Sequence, residues 1–387
     1  MKKVMFYCHV FYPQSSGYSN AFQNLINAIL NTNENLEITV ITPFLLDENT
    51  SELKRDRLTV VRLQPTIKMR KIRYFLNEYF YAKKVSKKFI DEKYDFLLIE
   101  TFDQSLFINF LDAKVLEKTA IRVHSTNETE YTFFDKGLAF QLRKFLIKCF
   151  LIKKIKWILS TNSYHINFVK KYFYDGNQLN IAETNFFVLP NVVNSLEPKS
   201  YHVGEKIKIL TLGRMDYLGN NQKGFTDFIY ALKLLPQSVI KQFDIKIVGQ
   251  GDMRNDLIKL CQKETNIDFI ESLTHSEVLA ELQNSDVVLL PSRYEGLSMF
   301  ALEGIATGNA CLFSNTGGLI DMLESNGIFF EAQNIESLAE ALVKLSNLEV
   351  KELERMKKES VELCKRKFSS EVVSKKFNTI LNLITKV

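Results

Sequence analysis

Two carboxylates, Glu295 and Glu303, stand eight residues apart in a segment that follows a buried apolar run. This segment, residues 291–304, reads PSRYEGLSMFALEG, and its glycine at position 296 predicts a turn between a strand and a helix that begins near Leu297. The first N–H groups of a helix and its dipole favour an anion. A carboxylate beside such a site can accept two hydrogen bonds from a diol. The pattern therefore predicts binding of an elongated anion that carries hydroxyl groups.

Two cations follow another predicted strand, residues 207–212, in the same half of the chain. Arg214 comes directly after Gly213, and Lys223 stands nine residues further on, in a loop rich in glycine and asparagine. Arginine binds phosphate oxygens as a planar fork and lysine binds them as a point charge, so the two together suit a diphosphate. The alternative is a surface loop in which the two charges are unrelated.

Alternating strands and helices are expected to hold these residues. The first apolar run, residues 4–10, is continuous, which is typical of a strand covered on both faces. The polar segment 194–205 separates two such alternating regions and is typical of an interdomain linker. The alternation predicts parallel, doubly wound sheets, in which ligands bind beyond the carboxyl ends of the strands. The predicted strands are 4–10, 36–42, 58–63, 96–99, 119–123, 157–161, 187–189, 207–212, 245–248, 268–270, 287–290 and 310–314.

The sequence therefore predicts an α/β fold with two Rossmann-like, doubly wound domains that face each other across a cleft. The predicted domains are 1–195 and 205–370, and residues 371–387 are expected to form a C-terminal helix that packs back on the first domain. The chain has 387 residues, of which 46% are hydrophobic and 25% are charged. This length suits two domains, and this composition excludes disordered and fibrous proteins.

Positive charge is concentrated in the first half of the chain. Residues 1–200 hold 28 Lys and Arg against 20 Asp and Glu, a net charge of +8, whereas the remaining residues have a net charge of −3. Two basic segments with many aromatic residues, Lys68–Lys88 and Gln141–Trp157, contain much of the excess. Such helices can lie on anionic lipid, so a membrane surface is one expected partner. The alternative is two ordinary helices that pack their apolar faces, and no motif accompanies the charge to indicate nucleic acid.

The cysteines and the apolar runs indicate where the protein works. The five cysteines lie far apart without a C-x-x-C pair, which is typical of reduced thiols in the cytoplasm. The sequence contains no run of about 18 apolar residues, so it does not predict a transmembrane helix. The expected location is therefore the cytoplasm, with peripheral attachment to the inner face of the cell membrane. No D-x-D pair is present to hold a metal-bridged diphosphate, so Arg214 and Lys223 are expected to replace a metal.

Taken together, these motifs resemble the retaining, nucleotide-sugar-dependent glycosyltransferases of the GT-B architecture, family 4, which belong to glycosyltransferase group 1. The resemblance is specific over about residues 186–345 and looser over 1–185, and the motifs occur in the family's order. They are 13–17, 122–128, 189–193 (LPNVV), the G-R…K-G pair of Arg214 and Lys223, 248–251 (VGQG), 286–292 (DVVLLPS), the E-x7-E pair of Glu295 and Glu303, and 316–318 (TGG).

The resemblance implies roles for residues in the C-terminal half. Arg214 and Lys223 would hold the donor diphosphate and neutralise the leaving group, Glu303 would bind the ribose hydroxyls, and Glu295 would bind the donor sugar. Backbone N–H groups of the turn would bind sugar and phosphate oxygens. The donor-binding positions of this turn are Gly296, Leu297, Ser298 and Met299.

In the N-terminal half, the resemblance implies that Gly17 lets a turn approach the donor closely and that His124 reaches the donor sugar. The reaction would transfer a sugar from a UDP- or GDP-linked donor to a glycan or lipid-linked acceptor, with retention and without a metal or other cofactor. The resemblance implies that such transfer would serve bacterial surface polysaccharide or glycoconjugate synthesis. The leaving phosphate would assist deprotonation of the acceptor, so catalysis would rest on positioning and charge stabilisation. A packing role is the alternative for His124.

Two other functions remain open at this point. One is a GT-B sugar-nucleotide enzyme that needs no acceptor, such as an epimerase, and the other is a membrane-associated GT-B scaffold without catalysis. The intact cation and carboxylate pairs argue against the scaffold. The chain departs from the family's usual residues at Tyr18, Glu271, Ser298 and Asn309, where glycine, glycine, glycine and proline are common.

Overall fold

The computed structural model describes two compact units of the chain. The first unit comprises Met1–Val192 with Ser370–Val387, and the second comprises Val193–Ser369. The residues described are 1–13, 17–43, 53, 55–66, 73–100, 105–124, 145, 154–174, 184–193, 196, 200–261 and 266–386. Parts of the predicted features lie outside them, namely residues 14–16, 68–72, 125–128, 141–144, 146–153, 194–195, 197–199 and 387.

The described part of the first unit contains a parallel sheet with the strand order β3-β2-β1-β4-β5-β6-β7. Val4 and Phe6 face one buried cluster and Met5 and Tyr7 face another, because helices cover both faces of the sheet. This explains the unbroken apolar run at the start of the chain. The strands are β1 (Lys2–Tyr7), β2 (Leu36–Thr42), β3 (Leu58–Arg62), β4 (Phe96–Ile99), β5 (Thr119–Val123), β6 (Trp157–Ser160) and β7 (Asn185–Val188). The helices before the second unit are α1 (Gly17–Thr32), α2 (Arg73–Asp91), α3 (Ser105–Asn109), α4 (Ala113–Leu116) and α5 (Ser163–Tyr174).

The second unit repeats this plan with a parallel sheet of order β10-β9-β8-β11-β12-β13. Its strands are β8 (Ile207–Leu212), β9 (Phe243–Val248), β10 (Ile267–Ile270), β11 (Val287–Leu290), β12 (Ala310–Ser314) and β13 (Gly327–Phe330). Its helices are α6 (Tyr217–Lys223), α7 (Phe225–Leu234), α8 (Gln237–Ile240), α9 (Arg254–Leu260), α10 (His275–Asn284), α11 (Met299–Ala306), α12 (Ile335–Ser346) and α13 (Val350–Lys367), with a 3-10 helix at Gly317–Met322. The predicted α/β fold of two doubly wound, Rossmann-like sheets is confirmed.

Each sheet contains one point where the chain reverses its direction of winding. In the first sheet the strands run outward from β1 to β3 and then resume on the other side with β4, and in the second sheet the same reversal separates β8 from β11. In doubly wound sheets the helices on either side of this point diverge and leave a crevice at the strand carboxyl ends, where ligands bind. A ligand-binding site is therefore expected in the loops after β1, β4, β8 and β11.

The last helix, α14 (Ser370–Thr385), packs on α1 within the first unit. The Phe377 ring meets the Phe6 ring edge-on at 5.9 Å, and Asn378 accepts a hydrogen bond from Asn33 at 3.0 Å. The amphipathic pattern of the helix thus completes the core of the first unit. None of the helices within the described ranges combines the length and apolarity that crossing a bilayer requires.

A buried ion pair anchors the start of β11, the strand that leads to the Glu295 turn. The Lys357 ammonium donates to Oδ1 of Asp286 at 2.8 Å, and the Lys208 N–H donates to Oδ2 at 3.0 Å. Both side chains of the ion pair are buried. Removing only one member of such a pair strands a charge without a partner, which is more costly than removing both.

We expect Lys357→Met to lower the free energy of unfolding by about 3–5 kcal/mol, because it leaves the Asp286 carboxylate buried and unpaired. The double variant Asp286→Asn/Lys357→Met is expected to recover at least half of this loss. Chemical denaturation of the three proteins measures both values. A double variant no more stable than Lys357→Met alone would contradict the assignment.

Candidate active site

The loop after β8 places Lys223 at the last position of α6. Asp216 caps the start of this helix by accepting a hydrogen bond from the Gly219 N–H at 2.6 Å. Gly224 ends the helix in the left-handed region, at φ 68°, so that α7 can begin at the next residue. The short helix between two fixed ends therefore determines where the lysine side chain starts.

Glycines let the lysine side chain and two loops approach one another closely. A Cβ on Gly213 would lie 2.7 Å from Cγ of Lys223, and a Cβ on Gly224 would lie 2.0 Å from the carbonyl oxygen of Pro291. Real Cβ atoms do not come this close to other heavy atoms. The stem of Lys223 consequently lies against the end of β8, and the loop after it touches the end of β11.

Lys223 and Glu295 form the central pair of the site. The Lys223 Nζ lies 2.5 Å from Oε2 of Glu295, and the Ser292 hydroxyl donates to the same oxygen at 3.2 Å. Side-chain exposure is 20% for the lysine and 8% for the glutamate, so water screens the pair only partly. Because an ammonium has three donors, Lys223 can keep this partner and still bind a phosphate oxygen.

Arg214 lies at the same strand end but is held loosely. Its side chain is 67% exposed, and its Nη1 lies 3.6 Å from Oδ2 of Asp216. An exposed pair at this distance contributes little stability. The guanidinium can therefore turn toward an incoming anion at little cost.

Glu303 forms a second pair, with His275. Nε2 of His275 lies 2.9 Å from Oε1 of Glu303, whose side chain is 14% exposed. Burial raises the pKa of Glu303, and the neighbouring imidazole offsets part of that rise. Among the described residues, no hydrogen bond or ion pair joins this pair to Lys223 and Glu295. Sequence reasoning found no partner for His275, since 28 residues separate it from Glu303.

The turn between β11 and α11 differs in one respect from the prediction. The helix begins at Met299, two residues later than Leu297, because Ser298 acts as its N-cap and accepts a hydrogen bond from the Ala301 N–H at 3.3 Å. This cap also explains a serine where the family commonly has glycine. The Gly318 N–H donates to the carbonyl oxygen of Gly296 at 2.9 Å and thereby fixes the turn. Binding of donor oxygens by the N–H groups of Leu297, Ser298 and Met299 stays a prediction.

An arginine that the sequence did not single out braces this turn. Arg293 donates from Nε and Nη2 to the two carboxylate oxygens of Asp227, at 2.8 and 2.7 Å, and from Nη1 to Asn221 at 2.6 Å. Hydrogen bonding to Asp227 raises the pKa of Arg293. The bidentate pair links α7 and the end of α6 to the segment that carries Glu295.

In the first unit, a cluster of polar side chains occupies the carboxyl ends of β4 and β5. Arg122 is fully buried, and its Nη1 lies 3.3 Å from both carboxylate oxygens of Glu100, which is buried as well. Nε2 of His124 contacts Oε2 of the same glutamate, and the Tyr18 hydroxyl donates to its backbone carbonyl. Tyr18 stands where the family commonly has a second glycine. Glu100 escaped the sequence analysis because a single acidic residue after a strand has no distinctive spacing.

Burial and the neighbouring Arg122 determine which side chains of this cluster are ionised. Burial alone would raise the pKa of Glu100, but Arg122 and His124 together hold it below its ordinary value. Burial lowers the pKa of His124 despite the attraction of Glu100. The glutamate is therefore ionised and the imidazole neutral near pH 7.

Gly17 is the first residue of α1 and is exposed. Its backbone is outside the left-handed region, and no described atom lies within 4 Å of the place a Cβ would occupy. Neither the backbone conformation nor packing within the described chain thus requires glycine here. Close approach of a ligand remains a reason for it, as the resemblance implies.

The side chains that could hold a metal ion in this chain are those of acidic residues, histidines and cysteines. Among the described residues, no three such side chains cluster as a metal site would require. Independence from metals stays a prediction, because this observation concerns only protein ligands.

Comparison with known families decides how these sites are to be understood. Residues 194–362 match the family described as glycosyl transferases group 1. The second unit is a glycosyltransferase group 1 domain. Of the curated proteins, an uncharacterised glycosyltransferase of Methanocaldococcus jannaschii is 32% identical over 138 residues, 34% of this chain and 33% of that protein. UDP-Gal:alpha-D-GlcNAc-diphosphoundecaprenol alpha-1,3-galactosyltransferase of Escherichia coli is 32% identical over 124 residues, 31% of each chain.

These matches span about a third of the length of those curated relatives. Similarity over the whole length comes from structure. Sucrose-phosphate synthase from Thermosynechococcus elongatus superposes with a TM-score of 0.77, covering 100% of both chains at 15% sequence identity. At this identity the likeness shows the fold alone, and that fold is GT-B. The resemblance to glycosyltransferase group 1 and the GT-B architecture are confirmed, whereas assignment to the retaining family 4 stays a prediction.

We expect Gly224→Ala to destabilise the protein by more than ~1 kcal/mol, since alanine is strained at positive φ and its Cβ would collide with the carbonyl of Pro291. Gly17→Ala is the matched control and should leave the melting temperature unchanged or slightly higher. Thermal unfolding of both variants provides the comparison. Equal stability of the two variants would disprove the close contact at Gly224.

Proposed function

We propose that this protein transfers a sugar from a nucleoside-diphosphate sugar, UDP- or GDP-linked, to a glycan or lipid-linked acceptor. The observation that carries the proposal is the Lys223–Glu295 pair at the winding reversal of the second sheet. There the loops after β8 and β11 hold a lysine cation at the strand ends, and the loosely held Arg214 lies at the same edge. Two cations at one edge of the sheet suit a diphosphate leaving group.

The proposed reaction breaks the bond between the anomeric carbon and the diphosphate oxygen. The bonding electrons leave with the nucleoside diphosphate, and Lys223 and Arg214 stabilise its added negative charge. The acceptor hydroxyl oxygen bonds to the anomeric carbon on the face that the leaving group vacates, so the configuration is retained. Its proton passes to an oxygen of the departing phosphate. No protein nucleophile and no metal take part in this scheme.

Glu303 would bind the ribose of the donor. His275 occupies Oε1 of Glu303, and within the described part of the chain Oε2 takes no further hydrogen bond, so it can accept from a ribose hydroxyl. Glu295 would contact the donor sugar and at the same time orient Lys223. These roles follow from the resemblance and agree with the positions of the four side chains in one unit.

The acceptor class is supported by a relative. The name of the Escherichia coli relative gives UDP-Gal as its donor and a sugar on diphosphoundecaprenol, a lipid carrier, as its acceptor. We infer a comparable acceptor for this chain, in synthesis of surface polysaccharide or glycoconjugates. A sugar-nucleotide enzyme without acceptor would instead convert the donor alone, and a scaffold would leave it unchanged.

We expect Lys223→Ala and Glu295→Ala each to abolish transfer while the protein stays folded. Arg214→Ala should raise the barrier by about 2–4 kcal/mol, roughly a 30- to 900-fold loss of kcat/KM, because one diphosphate cation is missing. The control is Lys241→Ala, which removes an exposed lysine elsewhere in the second unit.

The measurement begins with a thermal-shift screen of nucleotide sugars, since a ligand that binds only the folded state raises its stability. Product analysis with the selected donor then follows for each variant. Normal turnover by Lys223→Ala or Glu295→Ala would reject the site. Conversion of the donor without any acceptor would support the epimerase-like alternative.

Peripheral attachment to a membrane is the second part of the proposal. The described part of Lys68–Lys88 forms α2, on which lysines and large apolar residues share the exposed surface. Three lysines could contribute about 1 kcal/mol each next to anionic lipid. Among the residues of α2 whose side chains are described, the exposed ones are Leu76, Tyr79, Lys83, Lys84, Lys87, Ile90 and Asp91.

We expect the triple variant Lys83→Glu/Lys84→Glu/Lys87→Glu to bind vesicles of anionic phospholipid at least roughly 100-fold more weakly than the unchanged protein, because three attractive charges become repulsive. Cosedimentation with vesicles at low salt measures the binding. The triple reversal of the exposed lysines of the second unit at positions 233, 241 and 259 serves as a charge-matched control. Equal cosedimentation of both triple variants would refute attachment through α2.

A further inference from the structure

The Glu100 cluster of the first unit joins several polar side chains by hydrogen bonds at that sheet's carboxyl edge. Glu100 follows β4 and lies beside the winding reversal between β1 and β4. His124 follows β5, the neighbouring strand. The cluster therefore lies where a doubly wound sheet binds its ligands, although its central carboxylate is buried.

Arg122 keeps the carboxylate of Glu100 in place. Beyond Glu100, the guanidinium donates to the carbonyl oxygen of Leu189 at 3.1 Å, to that of Pro190 at 3.0 Å and to Oδ1 of Asn191 at 3.0 Å. A planar guanidinium with so many fixed acceptors cannot rotate without losing several hydrogen bonds. The glutamate that it binds is accordingly a rigid acceptor.

The contact between this acceptor and His124 decides where the imidazole proton lies. Nε2 of His124 meets Oε2 of Glu100, and an ionised carboxylate can only accept. Two facing lone pairs would repel, so we assign the proton to Nε2. Nη1 of Arg122, 3.1 Å from the same nitrogen, donates to the carboxylate as well, and the two donors converge on one acceptor.

We propose that Glu100 and Arg122 are positioning residues that hold His124 with its proton on Nε2, so that Nδ1 accepts a hydrogen bond from a hydroxyl of the sugar substrate. The proposal rests on the proposed function and adds the atom and the direction of the hydrogen bond. Because Nε2 lies against Glu100 and Arg122, Nδ1 is the ring nitrogen left for a ligand, and the imidazole keeps 11% of its side-chain surface exposed. Burial also lowers the pKa of His124 and thus preserves the neutral ring with its lone pair.

Two near-isosteric variants separate the two ring nitrogens. Asparagine places its amide group near the position of Nδ1, and glutamine places its amide group near that of Nε2. We expect His124→Asn, which keeps an acceptor for the sugar hydroxyl, to retain at least tenfold higher kcat/KM than His124→Gln, which keeps only the donor to Glu100. Equal losses, or a more active His124→Gln, would overturn the assignment.

A spectroscopic measurement tests the same point without any change to the cluster. The chain has five histidines, so selective 15N labelling gives few signals, and the His124→Asn variant identifies the one that belongs to His124. We expect protonated Nε2 and unprotonated Nδ1 at pH 7 in the unchanged protein. In Glu100→Gln the amide can donate as well as accept, so a mixture of the two tautomers is expected. A proton on Nδ1 in the unchanged protein would disprove the proposal.

The outcomes distinguish this inference from the proposed function. Transfer by the unchanged protein together with the wrong order of the two His124 variants rejects the inference and leaves the function in place. Both proposals fail if the unchanged protein transfers no sugar from any nucleotide sugar tested and the Lys223→Ala variant binds these nucleotide sugars as tightly as the unchanged protein. If Glu100→Gln does not fold, the labelled unchanged protein still decides the position of the proton.

Discussion

The ion pair between Lys223 and Glu295 is the interaction on which the site of the second unit depends. It joins the loops after β8 and β11, the two strands between which the winding reverses. Both side chains are mostly removed from water, and a charge left alone there costs several kcal/mol, so each holds the other in place. The backbone contact between Gly224 and Pro291 brings the loops close enough for the pair to form. The position of the cation therefore follows from the topology of the sheet and from one residue without a side chain.

Sequence reasoning predicted the elements whose cause is local. Strands such as Leu36–Thr42 and Thr119–Val123 are buried over nearly their whole length because helices cover both faces, and they occur at the predicted bounds. The spacing of Glu295 and Glu303, and the glycine beside each cation, likewise result from a strand, a tight turn and a helix in succession. Where only neighbouring residues decide the conformation, the sequence contains the necessary information.

Features that depend on distant residues could not be predicted in this way. Strand β13 lies at the edge of the second sheet, starts with a glycine and alternates in exposure, unlike the fully buried β11 and β12. An arginine within a strand is ordinarily expected at the surface, and the Glu100 carboxylate together with the carbonyl groups near residue 190 explains the burial of Arg122. The partners of Glu100 and of Glu303 likewise come from other segments of the chain. The fold brings these segments together, and the separation of the residues in sequence does not indicate the contact.

Helix α14 gives the chain an unusual order of assembly. The entire second unit, Val193–Ser369, leaves the ribosome before the helix that covers α1 has been made. Until Phe377 emerges, the apolar surface around Phe6 lacks the part of its cover that α14 provides, so the half of the protein that is synthesised first is completed last. The second unit has its own core and can fold before α14 completes the first unit. A chain that terminates soon after Ser369 would therefore contain a complete second unit and a first unit that lacks the helix covering α1.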